Sequence, residues 1–167
     1  FHEFVHCYQY ETCEEDLKVE LDIARRAQEV GDMMWELEYP FPYRSKNFTN
    51  GYTNFLAAID KEDHKIVQET HKHLKDYLGA HDYEYMVWQE WKEGFARWVE
   101  NRVRDHLDLP GNFRGLHQPF SRISFYVGGA AYIDLLVKTQ TSLAENIGSL
   151  FWRIFTYGME KNAAVQD

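Results

Sequence analysis

Residues 85–103 read YMVWQEWKEGFARWVENRV. They fall in a helix expected over about Tyr83 to Leu107, since Trp91 and Trp98 stand seven positions apart and return to one helical face. In so apolar a helix Glu93 is out of place, because burying a carboxylate alone is costly. Gly94 beside it has no side chain and lets a second helix come close. Glu93 therefore needs a cationic partner. Arg97, one turn on, would give a surface ion pair, whereas a metal ion would satisfy the carboxylate in the interior.

The rest of the chain is helical in pattern nearly throughout. From about Glu14 to Tyr39 one long helix is expected: Leu17, Leu21, Ala24, Ala27 and Val30 recur at helical spacing, with Gly31 a point of interruption. YPFPYRSKNFTNGYTNF (39–55) holds two prolines, a glycine and three asparagines, and reads as a loop anchored by its aromatics. Asp60 is placed to cap a helix running to about Leu78, with Gly79 as its stop. DLPGNFRGLHQPFS (108–121) is loop, and its Ser121 caps RISFYVGGAAYIDLLVKT (122–139). Ser142 with Glu145 forms a capping box for a last helix through Met159. No strand, repeat or low-complexity tract emerges. The expected class is mainly α, as one domain over residues 1–167.

Charge narrows the function classes. Twenty-seven acids against eighteen bases give a net charge of -9, which leaves no basic stripe to neutralise nucleic-acid phosphates or an anionic membrane. No apolar run approaches the ~20 residues of a membrane span. Cys7 and Cys13 lack Cys-x-x-Cys spacing and read as two free thiols. Asn47-Phe48-Thr49 matches the glycosylation triplet, which matters only in a secreted eukaryotic chain. Localisation stays open.

The chain opens FHEFVHCYQYE (1–11), in which His2, Glu3 and His6 are spaced H-E-x-x-H. Four positions apart on a helix, His2 and His6 share a face and can present both imidazoles to one point. Glu3 stands one position round, within reach of a water held there. This is the arrangement of a zinc peptidase, with two imidazole ligands and a carboxylate base; an ordinary surface helix carrying two histidines is the alternative. A zinc site of this kind needs a third protein ligand and an open position. Glu20, Glu29 and Glu36 lie on a helix whose charged positions read as solvated. Glu90 and Glu93 lie in the buried one, and Glu93, followed by Gly94, Phe95 and Ala96, is the favoured choice. One zinc ion on His2, His6 and Glu93 is the expectation.

HEFVH (2–6), EGFARWVE (93–100) and FYVGGAAYIDLL (125–136) resemble, in that order, the gluzincin metallopeptidases. The likeness is to their aminopeptidase-like branch, which reads H-E-x-x-H, N-E-G-F-A-x-x-x-E and Y-x-x-G. The resemblance implies zinc-dependent hydrolysis of a peptide or protein substrate. It implies the helical active-site portion of a zincin-like fold, whose β-sheet part would lie upstream of Phe1; without it the chain is expected to be a poorer enzyme than its parent. It makes His2, His6 and Glu93 the ligands and Glu3 the general base. Glu100, seven after Glu93 on the same face, would orient an imidazole, and Tyr126 would hydrogen-bond the developing oxyanion. Two departures stand out: 86 residues separate His6 from Glu93, far more than in that branch, and Lys92 replaces its asparagine. The long gap reads as a helical insertion over about 14–79, lying beside the site. It leaves substrate preference, and endopeptidase against aminopeptidase action, undecided.

A non-catalytic helical interaction module with a structural zinc competes with this reading, although such a module has no use for Glu3. A metal-free bundle with incidental histidines is the third. Tyr126 competes with a plain role in the core, and gains from the adjacent Gly128-Gly129 pair, where another backbone can approach. His117, in the loop before that helix, is the rival oxyanion donor. His64, His71, His73 and His81 sit among lysines and aspartates and read as a solvated surface rather than a second metal site. Trp88, Trp91 and Trp98 read as core.

Overall fold

The 27-residue helix α7 (Ala80–His106) is the element on which the others assemble. In the computed structural model, which describes residues 1–156, its middle is buried on all sides: Met86, Trp88 and Trp91 have no exposed surface, and Phe95 and Ala96 almost none. A helix apolar all round needs neighbours all round. α8 (Arg122–Thr139) crosses it with Gly94 and Gly129 at the contact. A Cβ on Gly94 would lie 2.8 Å from the Gly129 backbone, and one on Gly129 would collide with the Glu90 carbonyl. α9 (Ile147–Thr156) covers a second side, where Trp91 Nε1 donates to the Ile147 carbonyl at 2.9 Å. α1 (His2–Gln9) lies along a third.

Between α1 and α7 the chain runs through a π-helical turn at Tyr10–Glu14, then α2 (Glu15–Glu20), α3 (Asp22–Val30), α4 (Trp35–Glu38), α5 (Lys46–Asp60) and α6 (His64–Tyr77). A 3-10 turn at Thr141–Ala144 joins α8 to α9. Among the described residues there is no strand, and the fold is mainly α. No helix among them is long and apolar enough to cross a membrane.

Several boundaries differ from expectation. The single helix over Glu14–Tyr39 is instead three, broken at Leu21, whose ψ of 124° is extended, and at Gly31, which takes a left-handed φ of 70°. The second half of 39–55 is not loop but the start of α5. Its glycine and asparagines argue against a helix locally, yet Phe48, Tyr52 and Phe55 share one face and are wholly buried, and that burial decides the conformation. Asp60 ends α5; the cap of α6 is Asp63, whose carboxylate accepts from Ile66 N at 3.1 Å. Gly79 caps the start of α7. Ser121 caps α8 as expected, in a reciprocal pair with Ser124. α9 is capped by Asn146, which accepts from Ser149 N at 2.9 Å, rather than by Ser142 and Glu145; Met159 lies outside the described residues.

One buried cluster runs from Val5 to Ile154. Residues of 14–79 belong to it: Phe48 and Tyr52 of α5 meet Phe125 of α8 at ring separations of 6.0 and 5.6 Å. A group of charges also fastens this segment to α7. Lys92 Nζ reaches Glu14 Oε1 at 2.8 Å and Glu36 Oε2 at 2.7 Å, and Lys18 Nζ reaches the same carboxylates at 2.8 and 3.1 Å. Glu36 is thus largely buried and paired, not solvated. Lys92 has its physical role here, between two carboxylates remote from it in sequence.

Candidate metal centre

α1 and α7 bring together three groups far apart in sequence. Val5 and Gln9 are the buried positions of α1, so the adjoining His2–His6 edge faces α7 while Phe1 and Phe4 remain exposed. His2 Nε2 lies 3.1 Å and His6 Nε2 3.5 Å from the same oxygen, Glu93 Oε2. The ligand atoms of His2, His6 and Glu93 all fall within 4.8 Å of one another. Donors ~2.0–2.1 Å from a tetrahedral zinc stand about 3.3 Å apart, so both carboxylate distances fit that ion. The two imidazoles meet edge to face at 83°, a disposition that lets their nitrogens converge instead of stacking.

Electrostatics favour the deprotonated carboxylate. Burial alone would raise the Glu93 carboxyl, but hydrogen bonding and charge from His2 and His6 outweigh it and hold the group well below the usual carboxylate range. Burial opposes protonation of His6, while hydrogen bonding and charge from Glu93, with a contact to Gln9, move it above the ordinary value of 6.5. Arg97 is not the partner of Glu93. Its Nε lies 3.1 Å from Glu100 Oε2, and the cation nearest Glu93 is Arg122, at 3.9 Å from Oε1.

The other predicted residues divide. Tyr126, on α8, stacks its ring at 6.1 Å on the His2 imidazole, with the Arg97 and Arg122 guanidinium groups each 5.6 Å from its centroid. Burial, and then the Glu93 charge, push its phenol well above the ordinary value of 10, against a smaller opposing effect of Arg122. Glu100 Oε2 stands 3.6 Å from His2 Nδ1, and Asn112 Nδ2 donates to its other oxygen at 3.2 Å. Glu3 is exposed on the first turn of α1, with no hydrogen bond or ion pair among the described residues. His117 is exposed in the loop before α8, and its side chain makes no hydrogen bond, ion pair or ring contact with the three clustered groups.

Two features escaped the sequence reading. Gln9, wholly buried, lies with Oε1 2.9 Å from His6 Nδ1. Its type carries no metal-site signal, although its i+3 spacing from His6 places it on the neighbouring face. His71 is not solvated: it is buried, with Nε2 2.8 Å from Glu90 Oε2 inside the core. The stripe Val67, His71, Leu74 at helical spacing marked that position as inward.

Comparison of the chain with family models, with curated proteins and with solved structures finds no match.

Proposed function

We propose that this protein is a zinc-dependent peptidase of gluzincin type. The observation carrying the reading is the meeting of His2 and His6 with Glu93, which lies 91 positions from His2, with Tyr126 against one imidazole and Glu3 exposed on the helix that carries both. Two imidazoles and a carboxylate are the ligand set of catalytic zinc, which holds three protein ligands and leaves one position open.

When bound, zinc would supply a water of pKa ~7 and polarise a substrate carbonyl. Glu3, unencumbered by other partners, accepts a proton from water and passes it to the leaving amine. The Tyr126 phenol, kept protonated by burial and by the Glu93 charge, donates a hydrogen bond to the oxyanion. Glu100, itself held by Arg97 and Asn112, restrains the His2 ring from its far side. Residues 14–79 fit the reading as an insertion, because they share the core with α7 and α8.

The test is hydrolysis of an unstructured polypeptide by the zinc-loaded protein. Glu3→Gln is expected to keep its zinc while the rate falls ~10²–10⁴-fold, the worth of a positioned base. Zinc retained with no hydrolysis would favour a non-catalytic helical module with structural zinc, and hydrolysis indifferent to Glu3 would remove Glu3 as the base.

A further inference from the structure

We infer that Gln9 is a positioning residue that fixes the tautomer of His6 and so presents Nε2 as a ligand; the inference rests on the metal reading of the His2, His6 and Glu93 cluster. Gln9 has no exposed surface. Its Nε2 lies 3.1 Å from the Lys92 carbonyl and 3.5 Å from that of Trp91. Carbonyl oxygens only accept, so the amide must turn its NH₂ toward α7. Oε1 is then left facing His6 Nδ1 at 2.9 Å. That oxygen also only accepts, and at 2.9 Å it is much nearer its ring nitrogen than Glu93 Oε2, 3.5 Å from Nε2, is to the other, so the neutral imidazole places its proton on Nδ1.

The consequence falls on the other nitrogen. With Nδ1 protonated, Nε2 keeps its lone pair, and Nε2 is the atom 3.5 Å from Glu93 Oε2. The Trp91 and Lys92 carbonyls adjoin Glu93 on α7. Gln9 therefore ties His6 to the same stretch of helix that supplies the third ligand, fixing ring orientation and α1–α7 spacing through one side chain. Glu100 lies behind His2, 3.6 Å from its Nδ1, beyond hydrogen-bond distance, and the hydrogen bond of His2 runs from Nε2 to Glu93 at 3.1 Å.

The tautomer can be read without metal. In metal-free protein carrying ¹⁵N-labelled histidine, at a pH where the imidazoles are neutral, His6 is expected as the Nδ1–H form. Gln9→Leu, which removes the acceptor, should let the Nε2–H form appear and weaken zinc binding by about 10–100-fold, the usual effect of losing a group that holds a ligand imidazole. Gln9→Glu keeps an acceptor but loses both donor contacts; it should hold zinc within a few-fold of wild type, and it decides the matter should Gln9→Leu fail to fold. An Nε2–H His6 in the wild type would overturn the inference. So would Gln9→Leu binding zinc as tightly as wild type, or a folded Gln9→Glu that has lost it. Wild type with Nδ1–H His6 that binds no zinc would sink the metal reading and leave the tautomer assignment standing.

Discussion

Glu93 Oε2 stands 3.1 Å from His2 Nε2, although 91 positions separate the two residues. Nothing local holds them together. The distance is set by the seating of α1 on α7, and that seating depends on Val5, Gln9 and the crossing of α7 with α8. Chemistry at the cluster and packing in the core can therefore be perturbed separately.

Tyr126→Phe separates oxyanion stabilisation from metal binding. The phenyl ring keeps its stack on His2, so zinc content should not change. The rate of peptide hydrolysis should fall on the order of 10²–10³-fold, the worth of one oxyanion donor. Full activity in a steady-state assay would remove Tyr126 from the mechanism and return the role to His117 or another donor.

Gly129→Val tests the helix crossing. The added side chain meets the Glu90 backbone, which cannot yield without parting α7 from α8. Overpacking of this kind costs about 1–3 kcal/mol and can cost more. Thermal unfolding should drop accordingly, whereas Gly79→Ala, whose Cβ meets nothing closer than 4.0 Å, should shift it far less. Equal midpoints for the two variants would contradict the close approach.

The charges behind the site make stability depend on acid. Burial alone would raise Glu36, but Lys92, Lys18 and the Trp88 indole outweigh it and depress its carboxyl below the ordinary value of 4.5. A depressed carboxyl stabilises the fold fully above its unfolded pKa, and the gain is lost as pH falls through the lower folded value. Unfolding free energy should therefore decline below about pH 5, the upper edge of the ordinary carboxylate range. Lys92→Met should blunt that decline and cost on the order of 1–3 kcal/mol at neutral pH, since Lys18 still reaches both acids. Denaturant titrations at several pH values would show it, and an unchanged slope in Lys92→Met would refute it.

His71 and Glu90 form the most deeply buried ionisable contact of the described core. Glu90→Ala leaves His71 without its carboxylate and should destabilise by about 3–5 kcal/mol, the loss seen when one member of a buried pair is removed. His71→Leu with Glu90→Leu should recover much of it. A double variant no better than the single would show that the pair is coupled weakly.

Much of the framework is legible in the chain. Trp91 and Trp98 mark α7 as buried, and the spacing of His2 and His6 predicts adjacent imidazoles on one helical face. What could not be read was governed by tertiary contact. α5 forms from a segment rich in asparagine and glycine because Phe48, Tyr52 and Phe55 find a core to enter. His71 looks solvated beside Lys72 and Lys75, until the Val67–Leu74 stripe turns it toward Glu90. Gln9 shows its role only when the carbonyls of α7 orient its amide. Lys92 is intelligible only once Glu14 and Glu36, remote in sequence, are seen around it.

Zinc binding by the purified protein tests the central claim most directly. After dialysis against zinc and removal of the excess, metal analysis should find one ion per chain in wild type, none in His6→Ala and a strongly reduced amount in Glu93→Gln, with all three proteins folded. Wild type that holds no more zinc than His6→Ala would contradict the account.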